Sequence, residues 1–132
     1  MTRVLTYGTF DVLHHGHIRL LKRARVLGDY LIVALSTDEF NSLKGKHAYH
    51  PYSVRKEILE AIRYVDLVIP EESWEQKISD VKDYQIDIVV MGDDWKNSSR
   101  FNYLREYCDL VFLERTPEIS STEVREKLLK NP

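Results

Sequence analysis

The amino-acid sequence predicts an α/β chain, an open, doubly wound parallel sheet of about five strands with helices on both faces. Two observations carry this. Apolar runs of strand length recur along the chain, several nearly continuous in Val, Ile and Leu, as strands covered on both faces require. Between them, apolar residues repeat at three and four positions, the helical period.

The first strand is Val4-Leu5-Thr6-Tyr7. A helix begins near His17 and carries Leu20, Leu21, Ala24 and Leu27, with Gly28 placed as its C-cap. Tyr30 to Leu35 forms the second strand. Ser53 can cap a helix bearing Val54, Ile58, Leu59 and Ile62 on one side. Val65 to Ile69 is the third strand, and Lys77 stands near the start of a helix after Trp74. Ile86 to Met91 and Leu110 to Leu113 complete the sheet. Ser120 or Ser121 caps a last helix, in which Val124 and Leu128 are four apart. Lys44 to Pro51 and Asp93 to Arg100 are the long loops. Ligands of such sheets bind beyond the carboxyl ends of the strands. Four polar loops converge there: the one after Tyr7, the one after Leu35, Met91-Gly92-Asp93-Asp94, and Arg115-Thr116.

At 132 residues the chain is read as one domain, residues 1–132, able to bury a real core. A formal charge of -2 argues against bulk nucleic-acid binding. The single cysteine, Cys108, excludes an internal disulfide framework and suits a reducing compartment. No charged-then-apolar leader or membrane-length apolar run is present, so the expectation is a cytoplasmic protein without membrane insertion.

The most informative stretch is Tyr7-Gly8-Thr9-Phe10-Asp11 followed by His14-His15-Gly16-His17. Two histidines three apart sit where strand gives way to helix. A helix start offers unpaired N–H groups and the positive end of the macrodipole, which attract phosphate. Two imidazoles there add hydrogen-bond donors, or positive charge if protonated. Gly8 and Gly16 would let backbone approach an anion, while Thr9 and Asp11 add a hydroxyl and a carboxylate. A zinc site is poorly supported, because no further Cys/His cluster completes the ligands.

Further candidates follow along the chain. Lys44 and Lys46, flanking Gly45, are two solvated loop lysines or a flexible ammonium pair that closes over a polyphosphate. Arg55 and Arg63 are solvated ion-pair partners or planar forks for phosphate. Gly92-Asp93-Asp94-Trp95 is a simple turn or a pair of carboxylates for a divalent metal. Arg115 to Thr122 is a Ser/Thr-capped helix start, whose N–H groups and hydroxyls also suit phosphates.

These motifs resemble those of the cytidylyltransferase branch of the HxGH nucleotidyltransferases. The resemblance rests on Gly8-Thr9-Phe10-Asp11 with His14-x-Gly16-His17, and on Arg115-Thr116-Pro117-Glu118-Ile119-Ser120-Ser121-Thr122 as the carboxyl-terminal motif. Arg63-Tyr64-Val65-Asp66 and Met91-Gly92-Asp93-Asp94-Trp95 extend it across essentially the whole chain. It implies a Rossmann-like nucleotidyltransferase fold. In length and motif content the chain looks nearest to members that pass CMP from CTP to sn-glycerol 3-phosphate for teichoic-acid synthesis.

The resemblance implies catalytic roles for His14, His17, Lys44, Lys46 and Arg115. It implies CTP contacts from Thr9, Phe10, Asp11, His14, His15, Gly16, His17, Lys46, Arg63, Gly92, Asp94, Arg115, Thr116, Ile119, Ser120, Ser121 and Thr122. Lys44 and Arg55 would meet the phosphate of the acceptor, and Lys77 would be a further contact to the glycerol phosphate. Mg²⁺ or another divalent cation would accompany CTP, with Asp11 as a candidate protein ligand. A homodimer is also implied. Acceptors such as phosphocholine or phosphoethanolamine form the competing reading; their cationic ends want aromatic or acidic partners, whereas a diol wants neutral hydrogen bonds.

Overall fold

The computed structural model describes residues 1–92 and 99–114. In chain order these form β1 (Arg3–Gly8), α1 (His15–Val26), β2 (Tyr30–Ser36), α2 (Asp38–Leu43), α3 (Tyr52–Glu60), β3 (Leu67–Glu71), α4 (Lys77–Asp83) and β4 (Ile88–Gly92). A 3-10 turn, Asn102–Glu106, leads into β5 (Asp109–Leu113). The five strands lie in the order β3-β2-β1-β4-β5, and every pairing is parallel. The strand order reverses between β1 and β4, which opens a crevice at their carboxyl ends, as in Rossmann-like sheets.

Both faces are covered, as the apolar runs require. On β2, Leu31, Val33 and Leu35 pack with Leu21 and Ala24 of α1 and Leu59 of α3. Ile32 and Ala34 point the other way, into a second cluster with Val81 of α4, Phe101 and Leu104. Period-two alternation within a continuous apolar run thus feeds two separate cores.

At the amino edge of the sheet, an aspartate ahead of a strand accepts a backbone N–H near the start of its neighbour. Asp29 accepts from Thr2 at 2.8 Å, Asp87 from Arg3 at 2.8 Å and Asp66 from Leu31 at 2.8 Å. This moves the observed starts of β3 and β4 to Leu67 and Ile88, two residues later than the apolar runs imply.

Two expected caps differ. α1 ends with Leu27 in right-handed helical geometry, so Gly28 is not a left-handed C-cap. Glycine is needed there for space: a Cβ would stand 2.6 Å from the Thr2 carbonyl oxygen and 2.8 Å from Val4 Cγ2. α3 begins at Tyr52 after Pro51, placing Ser53 inside the helix. Its Tyr52 N–H is capped from a distance by Asp38 Oδ2 at 2.9 Å. α2 forms where no helix was expected; Thr37 caps it by accepting from Phe40 N–H at 3.1 Å. The helix expected after Ser120 or Ser121 lies outside the described residues. Among the described residues no helix is long and apolar enough to cross a membrane.

Candidate active site

The crevice begins where β1 ends. Phe10 and Val12 both hold positive φ, 46° and 49°, a strained geometry for bulky side chains that persists only where surroundings enforce it. Asp11 between them does much of the enforcing: it is 1% exposed and accepts from Tyr49 N–H at 2.6 Å and His50 N–H at 3.1 Å. Gly8 has a reason other than anion approach. A Cβ there would meet the Phe10 ring at 2.7 Å, so glycine lets that ring fold back over the strand end.

The histidine pair builds the start of α1. His14 is the N-cap, and its Nδ1 accepts the Gly16 N–H at 3.1 Å. In return His17 Nδ1 accepts the His14 N–H at 3.3 Å. This is a capping box made by two imidazoles in place of Ser/Thr and Glu. The rings stack with centroids 4.1 Å apart. A ring nitrogen that accepts carries no proton, so both neutral imidazoles hold theirs on Nε2. Burial lowers the His17 pKa to about 4, with His14 adding to the effect and Asp11 opposing it. His14 is lowered too, by burial and then by His15. At neutral pH the pair consists of uncharged Nε2–H donors, so the protonated form expected as one option is disfavoured. His14 Nε2 is buried without a hydrogen-bond partner among the described residues. His15 is exposed, and the Gly16 N–H is engaged by the His14 ring.

Beside this turn lies a cavity of about 390 Å³. Gly8 and Thr9, at the end of β1, line it together with Lys44, Lys46, Trp74 and Lys77, while His14 and His17 are not among its lining residues. Thr9 Oγ1 donates to Asn41 Oδ1 at 3.2 Å, tying the wall to α2. Gly45 takes φ 72°, reversing the chain so that lysines on either side of it reach the same cavity. Lys44 donates to Ser36 Oγ at 2.9 Å, and burial lowers its pKa against the pull of Glu71. Lys46 is exposed at the rim.

Other expected site residues fall elsewhere. Arg55 is 1% exposed and does not line the cavity. Its Nε donates to His50 O, Nη1 to Thr9 O and Ser36 O, and Nη2 to Asp38 Oδ1, all within 2.8–3.0 Å. The fork, which the resemblance assigns to acceptor phosphate, here ties the ends of β1 and β2 to α2 and to the loop before α3. Arg63 lies in the turn between α3 and β3, exposed at the amino edge of the sheet, opposite the histidines. Arg63 does not line the cavity within this chain.

Gly92 ends β4 at the crevice edge, where a Cβ would meet nothing within 4 Å. Asp94, Arg115, Thr116, Ile119, Ser120, Ser121 and Thr122 lie outside the described residues.

The described residues do not fit a protein-held divalent cation. Asp11 is committed to two backbone N–H groups, and no cluster of three His, Cys, Asp or Glu is suitably grouped among them. Two residues missed by sequence reasoning also line the cavity: Glu71 at the end of β3, and Arg100, whose guanidinium lies 3.9 Å from the Trp74 ring centre. No local signal marks either, since each acquires its neighbours through the strand order.

A family model described as Cytidylyltransferase-like matches residues 5–127. The chain is 59% identical to the glycerol-3-phosphate cytidylyltransferase of Bacillus subtilis, over 97% of this chain and 98% of that one. It is 56% identical to the enzyme of that name from Staphylococcus aureus, over 97% and 96% of the two chains. Among solved structures, the lipopolysaccharide core biosynthesis protein of Thermoplasma volcanium superposes with a TM-score of 0.74 at 28% identity, covering 88% of this chain and 98% of that one.

Proposed function

The chain belongs to the cytidylyltransferase-like family, and from that membership we propose that it transfers CMP from CTP to sn-glycerol 3-phosphate, forming CDP-glycerol and pyrophosphate. The observation that carries this reading is near-complete coverage, at 55–59% identity, of three proteins named for that activity. The paired Nε2–H donors beside a lysine-lined cavity supply chemistry that suits it.

An acceptor phosphate oxygen attacks the α-phosphorus in line. The new P–O bond forms as the bond to the β-phosphate oxygen breaks, and pyrophosphate leaves with that electron pair. The attacking oxygen is already anionic at neutral pH, so no general base is needed. His14 and His17 donate from Nε2 to the α-phosphate oxygens, where charge changes most along the reaction. As neutral donors they need not move a proton. Lys44 meets the acceptor phosphate from the cavity and Lys46 the nucleotide phosphates from the rim, which holds the reactants together.

In this reading Arg115 meets the leaving pyrophosphate, and Thr116, Ile119, Ser120, Ser121 and Thr122 hold the β- and γ-phosphates. Asp94 and Gly92 border the cytosine. Mg²⁺ arrives with CTP as part of the nucleotide substrate. The reading includes one domain over residues 1–132, a cytoplasmic setting, a homodimer and supply of CDP-glycerol to teichoic-acid synthesis.

The test mixes the protein with CTP and one acceptor at a time. Pyrophosphate release and CDP-glycerol mass with sn-glycerol 3-phosphate are expected. Release with another phosphorylated alcohol but not this one would overturn the assignment.

A further inference from the structure

The Lys77 ammonium occupies a cage. Its Nζ lies 4.3 Å from the Tyr7 ring centre, 5.1 Å from Trp74 and 5.6 Å from Phe101. Glu71 Oε2 stands 3.2 Å away, and both charged side chains are at most 4% exposed. Three aromatic walls and a carboxylate form the arrangement that binds alkylammonium groups, through cation–π attraction and charge pairing. The cage is rigidly built: Tyr7 Oη donates to Asp80 Oδ2 at 2.8 Å, and Asp80 lies on α4, the helix that bears Lys77. Trp74 also faces the chain's own cations elsewhere, with Lys44 Nζ at 5.7 Å and the Arg100 guanidinium at 3.9 Å.

We propose that Lys77 determines acceptor specificity by filling an aromatic-carboxylate cage with the chain's own ammonium, so that aminoalkyl phosphates are shut out and a neutral polyol phosphate is admitted. This rests on the cytidylyl-transfer reading above. A phosphorylated alcohol with a cationic end would need the cage, and inserting a second cation beside Lys77 meets like-charge repulsion with the carboxylate already paired. A glycerol end requires no cage. It needs hydrogen-bonding groups, and Lys77 and Glu71 present both a donor and an acceptor at the cavity wall. Truncating Lys77 leaves the rings and the carboxylate in place and vacates the centre.

The experiment compares wild type with Lys77→Ala. In the first arm, pyrophosphate release from CTP is read with sn-glycerol 3-phosphate, phosphoethanolamine and phosphocholine. The kcat/KM ratio of aminoalkyl to glycerol phosphate is expected to rise at least about tenfold in the variant, the scale of one altered pocket contact. In the second arm, thermal unfolding is followed with added tetramethylammonium and ethylammonium; these should raise the Tm of Lys77→Ala and leave wild type unmoved. Because the variant leaves Glu71 buried and unpaired, Glu71→Gln with Lys77→Ala serves if the single variant does not fold, with shifts in the same direction but smaller, since only the aromatic walls then attract the cation.

An unchanged acceptor ratio with no ammonium-dependent Tm shift in a folded variant overturns the proposal. So does a wild type that uses phosphocholine as readily as glycerol phosphate. Wild type inactive with every acceptor would instead sink the transfer reading, while the second arm still decides whether the cage exists.

Discussion

His17 Nδ1 accepts the backbone N–H of His14, while His14 Nδ1 accepts the N–H of Gly16, so one pair of rings caps α1 and leaves the proton of each on Nε2. The cap selects the tautomer, and the tautomer makes the donors. Nitrogen-15 chemical shifts at neutral pH should report Nε2–H imidazole for both residues; an Nδ1–H form at either would break the link between capping and donation.

The two functions of His17 are separable. Asn at position 17 offers an acceptor near the Nδ1 position and keeps the cap but has no donor where Nε2 stood. His17→Ala removes both. Both variants should lose at least roughly two orders of magnitude in turnover, the scale of one transition-state donor. His17→Ala should also lose about 1 kcal/mol of stability, which His17→Asn largely keeps. Wild-type turnover in a folded His17→Asn protein would refute the donor role.

Burial of His17 has a signed pH consequence. Its pKa is about 4 folded against 6.5 for the ordinary side chain, so between those values the unfolded chain binds more protons. The contribution of neutral His17 is therefore full above about pH 6.5 and fades as pH falls toward 4. Urea midpoints across that window should drop more steeply for wild type than for His17→Asn. Parallel slopes would show that His17 titrates normally.

Lys44 enters the cavity with its ammonium on Ser36 and its pKa lowered by burial. Lys44→Ala should reduce kcat/KM for sn-glycerol 3-phosphate by about tenfold to a hundredfold, the worth of a charge-assisted hydrogen bond. CTP affinity should change much less. A variant altered in CTP affinity alone would reverse the division of labour between Lys44 and Lys46.

Arg55 joins four acceptors from three separate segments, and lysine cannot reproduce that fork. Arg55→Lys should cost about 2–3 kcal/mol in denaturant unfolding, moderated because Asp38 is half exposed. The acceptor KM of the folded fraction should stay within a few-fold of wild type. Undiminished stability with a raised acceptor KM would return Arg55 to the substrate.

Gly28→Ala drives a methyl group against the Thr2 carbonyl oxygen and the Val4 side chain, at the edge of the sheet remote from the histidines. A loss of about 1–3 kcal/mol is expected, with kcat/KM of the folded protein unchanged. Undiminished stability would mean that the chain start yields freely.

Much of the molecule was legible along the chain because its causes are local. Apolar runs of four to six residues mark strands wherever both faces are buried. The His14-to-His17 spacing marks a helix start because the cap closes within three residues. The parallel sheet and the crevice at its carboxyl ends follow from those signals.

Tertiary structure alone decided where Arg55, Arg63 and Lys77 lie and what surrounds them. Each is a cation in a polar segment, and such a residue pairs with whatever the fold brings near it. Arg55 meets carbonyls at the ends of β1 and β2, and Arg63 is carried to the opposite edge by α3. Lys77 enters a ring of aromatics from Tyr7, Trp74 and Phe101, which only the strand order assembles. Hydrophobic periodicity is written residue by residue, whereas the partner of a long charged side chain is set by distances between segments far apart in sequence.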